Sequence, residues 1–427
     1  MTLYVLLGIA AIGLQAIWIA VLRLGDLKAH VVEFIAAALG AGLLYLVSTW
    51  VVLRLPASKK LAGFIVGMGL LFRLTLFPLY PSLSDDLLRY RWEGKAQVAG
   101  VNPYTTKPNA PEMRGLRDET WPAVNGKEFT TMYPPLTELM FRATYRISDS
   151  VIAMKLPALL FDTVSAATLM LLLARLGLPS TRLLIYYWCP VTVVEFAASG
   201  HNDSIAVFFL LVTLLAYEND HPPLALASLT ASAMAKLFGA FLAPVLIVRE
   251  WRCLTSRGGR PLLWPLLVVI AICWPFRSGL PDLVPAIAIA SGHWRNNDSL
   301  FGIVEWATGS ISAASWIDIA VVVGTSFCLA LKRVELPRAA YLLIGTVLLC
   351  AANCFPWYLT WILPLQAIFV NPAWLLLTVT SSLAYQVLIG YQATGVWRDS
   401  NFFRALEYVP VYALLLYLWL GPRRRAA

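Results

Sequence analysis

Long apolar runs separated by short polar links dominate this chain. Such runs fall near residues 2 to 22, 31 to 53, 61 to 80, 134 to 148, 151 to 174, 183 to 199 and 204 to 217. Others follow near 223 to 248, 261 to 275, 311 to 331, 339 to 354, 356 to 369, 373 to 391 and 406 to 420. Several reach or approach the ~20 apolar residues that carry a helix across ~30 Å of hydrocarbon. The pattern predicts an all-α, polytopic integral membrane protein with about eleven to fourteen transmembrane helices, some short or re-entrant. The first run, TLYVLLGIAAIGLQAIWIAVL, lacks the basic leader and the small-residue cleavage site of a signal peptide and reads as an anchor. No repeat of solenoid length and no obvious internal symmetry divides the chain.

Composition agrees with this reading. Of 427 residues 59% are hydrophobic and 13% charged, against roughly 25% charged in soluble domains. The net charge of +9 would suggest nucleic acid as the partner of a soluble protein. Here the basic residues cluster in RLPASKK, REWRCLTSRGGR, KRVELPR and the terminal RRR, short links that the positive-inside bias places in the cytoplasm. The lipid bilayer, not nucleic acid, is the implied partner. The remaining loops, from SDDLLRY onward and including GHND, SGHWRNND, NCFPW and GYQATGVWRDSN, then share the opposite face. The outer loop after residue 80 carries basic residues beside acidic ones, and long loops obey the charge bias less. If RLGLPSTR is cytoplasmic, the runs at 134 to 148 and 151 to 174 make one net crossing, so one of them only dips or tilts. The cysteines have no CxxC spacing and mostly sit in apolar runs, as free buried thiols do.

The stretch SDDLLRYRWEGKAQVAGVNPY has helical periodicity. Asp86, Arg89, Tyr90, Glu93 and Gln97 share one face, and Leu88, Trp92, Ala96 and Ala99 another. Ser84 stands where an N-cap belongs, and Gly100 ends the helix. The apolar face suits the membrane surface, with Trp92 at the interface. Adjacent side chains diverge by about 100°, so Asp85 and Asp86 cannot serve one atom together. Asp86 lies on the polar stripe, whereas Asp85 sits at the helix start, where a carboxylate also favours the dipole.

That stretch, with MYPPL, EFAASGHNDS, AMAKLFGAFLAPV and FPWYLTWILPL, resembles bacterial GT-C glycosyltransferases, and more narrowly their polyprenyl-phosphate-mannose-dependent members. The resemblance covers roughly residues 60 to 370. It implies a GT-C-like polytopic fold whose first large extracytoplasmic loop, here 81–132, carries the catalytic acid on a juxtamembrane helix. The donor would be a sugar, mannose first among candidates, on a polyprenyl phosphate. The acceptor would be a glycan or glycolipid hydroxyl, and the reaction inverting, with Asp86 at the position of the base. The spans within residues 1–60 are extra amino-terminal helices on a single membrane domain, 1–427. The implied location is the cytoplasmic membrane, multi-pass, with an extracytoplasmic site.

Such a transfer needs a base beside the acceptor, positive groups at the departing phosphate and a groove for the lipid. Arg89 can orient Asp86 or contact the phosphate, or be a plain surface residue. His201, Asn202 and Asp203 lie at the end of an apolar span, suited to phosphate and sugar hydroxyls, although Asp203 equally suits a helix cap. Lys236 interrupts an uncharged run, with an anionic lipid phosphate as its partner or snorkelling as its explanation. His293 and Arg295 occupy a loop, where Arg295 offers a fork for two phosphate oxygens. Tyr133, in MYPPL, is a pocket-lining candidate, although its two prolines also explain a rigid helix entry. Trp357 and Trp361 fit an interfacial aromatic belt better than a lipid cradle. Adjacent aspartates point apart and no second acidic cluster accompanies them, so neither a metal nor another cofactor is expected. The other functional class compatible with the pattern is a transporter or flippase of a lipid-linked glycan, for which mid-membrane charge such as Lys236 would speak.

Overall fold

The computed structural model describes residues 2–256, 258–293 and 295–421, without the side chains of 290–293. All its long elements are helices, and among the described residues there is no β-strand, only an isolated bridge between Asn296 and Asn353. α1 (Thr2–Leu24) and α2 (Val31–Val52) pack together, Leu44 against Gly13 and Ile17 against Gly40, and bury Leu14, Trp18, Phe34 and Tyr45, while Ile12 and Leu43 point outward, as lipid-facing residues do. α3 (Lys59–Leu76) starts where the Ser58 hydroxyl accepts from the Leu61 amide at 3.1 Å. It leads into a large loop that contains α4 (Asp86–Val98) and ends at α5 (Pro135–Ile147). A 3-10 turn, Ala153–Lys155, then runs into α6 (Leu156–Arg175).

The next apolar run does not form one helix. It divides into α7 (Leu183–Tyr187), α8 (Pro190–Val193) and a π-turn over Val194–Ala198, before α9 (Asp203–Glu218) and α10 (Pro222–Ala235) resume regular geometry. Pro190 cannot donate to the preceding turn. Lys236 likewise takes up extended geometry (φ −151°, ψ 135°) between α10 and the 3-10 turns of Leu237–Leu242. Among the described residues six helices are long and apolar enough to cross a membrane, and Arg260–Phe276 with Leu280–Ile289, bent by 98°, makes a seventh if counted as one span. The expected eleven to fourteen exceeds this because several apolar runs are broken into pieces too short to cross alone.

Two expectations about the first loop are refined. α5 is only 13 residues long and packs on α4, whereas Ala153–Arg175 qualifies as a span, so the single crossing belongs to the latter. The apolar face of α4 does not lie on the bilayer. Leu88, Trp92 and Ala96 pack against Met113 and Val124 of the same loop, and Trp92 lies 4.7 Å from Trp121. The loop has enough apolar side chains of its own to cover the face. The cysteines are free, with Cys189, Cys350 and Cys354 buried and Cys328 exposed on the outward side of Ile311–Leu331.

A buried ionic knot holds the broken segment to its neighbours. Arg73 of α3 pairs with Asp162 of α6, donates to the carbonyls of Gly69 (3.0 Å) and Tyr187 (2.6 Å), and lies 3.7 Å over the Tyr187 ring. The Tyr186 hydroxyl donates to Asp162 at 2.8 Å. Both ionic side chains are fully buried, and removing one partner would strand the other's charge. Asp162→Asn is therefore expected to cost about 3–5 kcal/mol, measured as a lowered midpoint of denaturant-induced unfolding in micelles.

Candidate functional site

The amino-terminal end of α4 carries the central carboxylate. The Ser84 hydroxyl accepts the Asp86 amide at 3.2 Å, and Gly100 (φ +86°) closes the other end. Asp86 Oδ1 accepts from Asn125 Nδ2 at 2.7 Å, and the side chain stays 27% exposed. Arg89, one turn on, is buried. It pairs with Glu93 and donates to the carbonyls of Asn125 (3.1 Å), Gly126 (2.6 Å) and Phe129 (3.1 Å). It is thus neither a surface residue nor an open phosphate fork: it holds the loop that delivers Asn125 to Asp86. Asp85 makes no side-chain cap to α4, and burial, with Asp86 adding to it, raises its carboxyl against the opposing pull of Lys28 and Lys127. Farther along, the Asp118 carboxyl is held well below its usual range. Burial opposes ionisation there, but hydrogen bonds from Lys95, Arg91 and Thr120 outweigh it.

Opposite Asp86 stands the segment that follows the π-turn. π-turns within α-helices are frequent at functional sites. Here the turn closes through Ser199 N to the Val194 carbonyl and His201 N to the Glu195 carbonyl, both 2.9 Å. Lys155 Nζ, fully buried, donates to the carbonyls of Leu79 (2.7 Å), Ala197 (2.8 Å) and Ala198 (3.2 Å). Gly200 (φ +77°) fits against the lysine stem: a Cβ there would lie 2.7 Å from Lys155 Cγ and 3.0 Å from Leu87 Cδ1. The result is that His201 Nε2 faces Asp86 Oδ2 at 3.9 Å, with Nδ1 3.0 Å from Glu195 Oε2. The imidazole stacks on Trp357 at 4.2 Å. Burial disfavours its charged form, but Glu195, Asp86 and Asp203 together raise its proton affinity above the ordinary histidine value.

Asp203 begins α9. Its Oδ1 accepts from Trp361 Nε1 at 2.7 Å and lies 3.2 Å from Lys236 Nζ, which sits 5.2 Å over the Tyr358 ring. Asp203 is therefore an ion-pair partner and not the cap of α9. Lys236 is turned inward, 17% exposed, and does not snorkel. The Thr137 hydroxyl of α5 donates to the Ala235 carbonyl at 2.8 Å, tying the break at Lys236 to the first loop. Both polar atoms of the Asn202 side chain, Asp203 Oδ2 and the hydroxyls of Ser199 and Ser204 are buried without hydrogen-bond partners among the described residues. Each such group costs about 1–3 kcal/mol unless something satisfies it.

Tyr90 and Tyr133 pack into an aromatic cluster with Phe141, where Tyr90 stacks at 4.4 Å and Tyr133 meets Tyr90 edge-on at 5.2 Å. Trp357 and Trp361, expected in an interfacial belt, also turn inward onto this group: the Trp361 indole N–H finds Asp203 and the Trp357 face finds His201. Arg295 is not paired with this group. Its fork is taken by Asp298 and Glu305, although the Asn296–Asn353 bridge links its loop to the chain leading into Trp357. The side chain of His293 lies outside the described residues. Sequence reading missed Glu195, Lys155 and Asn125. Glu195 and Lys155 are charges inside apolar runs, the signal already used for Lys236, whereas no local signal marks Asn125.

The site thus gathers Asp86, His201, Asp203 and Lys236 from α4, the post-π segment, α9 and the end of α10. A family model for alpha-(1->6)-mannopyranosyltransferase, N-terminal domain, matches residues 2–252. The chain belongs to this family. No curated protein matches it. As a mannosyltransferase the chain moves a mannosyl group between a donor and an acceptor, and the transporter reading loses its support. The facing of His201 and Asp86 depends on a residue without a side chain, Gly200. Gly200→Ala is expected to lower mannosyl transfer by about 10²-fold, since misplacement of reacting groups by about 1 Å costs that much. Initial-rate assays at matched protein levels check this.

Proposed function

We propose that this mannosyltransferase takes mannose from a polyprenyl-phosphate donor and attaches it, with inversion, to a hydroxyl of a glycan or glycolipid. Asp86 is the general base. The observation that carries this reading is the arrangement around Asp86: a partly exposed carboxylate steadied by Asn125, with His201 3.9 Å away. Beside them the paired Lys236 and Asp203 adjoin a wall of unsatisfied buried polar groups. In the reaction the acceptor oxygen forms a bond to the anomeric carbon as its proton passes to Asp86. The bond from that carbon to the phosphate oxygen breaks, and the electron pair leaves with the lipid phosphate. His201 and Lys236 receive the negative charge of the phosphate. Asn202 and Asp203 Oδ2 hydrogen-bond sugar hydroxyls. The family's description, alpha-(1->6)-mannopyranosyltransferase, favours an α-(1→6) linkage, for which the attacking group is a primary alcohol. Inversion to an α product requires a donor of β configuration.

We assign the reaction to the extracytoplasmic side of the cytoplasmic membrane. α9 separates Asp203 at one end from Tyr217 and Glu218 at the other by about 21–22 Å, at 1.5 Å per residue. Around the latter end gather Arg175, Arg249, Arg252 and Arg333, lining a cavity of about 560 Å³ with Glu218, Asp220, Glu250 and Glu335, and the bias counts basic residues whatever acids accompany them. That arginine-bearing end fits the cytoplasmic face by the positive-inside bias.

Membranes given radiolabelled polyprenyl-phosphate mannose test the chemistry. Asp86→Asn is expected to reduce transfer by about 10²–10⁴-fold, and equal transfer by parent and variant would remove Asp86 from the role of base. Methylation analysis of the product reads the linkage. In a cysteine-free background, a cysteine at Asn401 is expected to label from outside and one at Thr255 only after permeabilisation. The opposite pattern reverses the orientation.

A further inference from the structure

Glu195 lies in an apolar run and is 1% exposed, yet both ends of it grip His201. Its carbonyl accepts the His201 amide at 2.9 Å, and its Oε2 lies 3.0 Å from Nδ1, an ion-pair contact whose angle falls outside hydrogen-bond geometry. Oε1 accepts from the Tyr385 hydroxyl at 2.6 Å, which fixes the carboxylate from behind. With Nδ1 turned to Glu195, Nε2 is left facing Asp86 across 3.9 Å, beyond hydrogen-bonding distance, in a side chain 2% exposed. This buried polar atom is aimed into the site and has no acceptor of its own.

We propose that Glu195 is a positioning residue for mannosyl transfer, one that keeps His201 protonated and directs its Nε2–H at the leaving phosphate oxygen. The inference rests on the proposed reaction at Asp86 and deepens it. An imidazole held between two carboxylates gains a proton that an imidazole beside one would give up near neutrality. Stacking on Trp357 fixes the plane of the ring, so the direction of the N–H is set as well as its presence. Groups facing His201 from each packed element are Asp86 on α4, Glu195 on the π-turn, Asp203 on α9 and the Trp357 ring. The Lys155 ammonium lies close by on the carbonyls of Ala197 and Ala198, and Lys236 beyond Asp203. The second oxygen of Glu195 is committed to the Tyr385 hydroxyl, which holds the carboxylate beside the ring. His201 keeps its proton throughout. It lends the N–H to the departing phosphate while the acceptor's proton goes to Asp86.

The chain has four histidines, so the His201 signal in spectra of isotope-labelled histidine can be assigned by its loss in His201→Gln. Titration of the purified full-length protein in micelles, parent against Glu195→Gln, reads the protonation of His201 without donor or acceptor. The expected result is a midpoint lower by about one pH unit or more in the variant. The rate of mannosyl transfer, falling as pH rises through that midpoint, should shift its alkaline limb to lower pH by a similar amount. Glu195→Asp, which keeps the charge but withdraws it, should titrate between the two, and it reads the same coupling if Glu195→Gln does not accumulate. An unchanged His201 midpoint in both variants overturns the inference, as does a uniform loss of rate at every pH without movement of the limb. Failure of the Asp86→Asn test leaves the titration result standing, so the two readings fail separately.

Discussion

Backbone groups inside a membrane protein have no water to fall back on, and the segment from α7 to His201 abandons the regular bonding that usually satisfies them. Lys155 meets this constraint. Its ammonium takes the carbonyls of Ala197 and Ala198, left free where the π-turn ends, together with that of Leu79 from the start of the first loop. One cation thereby sets the distance between the two chain segments that carry His201 and Asp86. Gly200 lies along the same lysine stem, where a side chain would collide. The facing of imidazole and carboxylate thus follows from how open carbonyls are satisfied at the entrance to α6.

The second half of the site is organised by the first loop folding on itself. α4 is polar on one face and apolar on the other, and both are buried: Trp92 against Trp121, Tyr90 against Phe141, Arg89 among the carbonyls of residues 125–129. Gln97 extends this by donating to Glu138 at 2.6 Å, and the Thr131 hydroxyl donates to the other oxygen of that carboxyl, also at 2.6 Å. The loop behaves as a small folded cap anchored to α5, and Asp86 projects from its edge.

Much of this was readable from the sequence because it is local. The limits of α1 and α2 fall within two residues of their apolar runs, and Ser84 and Gly100 mark the ends of α4. The cluster GHND, Lys236 and Asp86 stood out because charge in an apolar chain is costly. What could not be read is tertiary. Periodicity gives α4 an exposed apolar face and cannot say that Met113 and Val124 cover it. Trp361 looks interfacial until Asp203 is found beside it. Arg295 looks like a phosphate ligand until Asp298 and Glu305 occupy it. Glu195 needed only consistency, since the rule that singled out Lys236 applies to it equally.

The family match ends at residue 252, yet the indole that covers His201, the indole that bonds Asp203 and the phenol that fixes Glu195 are Trp357, Trp361 and Tyr385. The boundary of the recognised sequence unit is therefore no seam in this cluster of side chains. A polypeptide severed in the 250s would retain its carboxylates and cations but lose the aromatic panels that enclose them, and evolutionary exchange of carboxy-terminal halves would have to preserve those three rings.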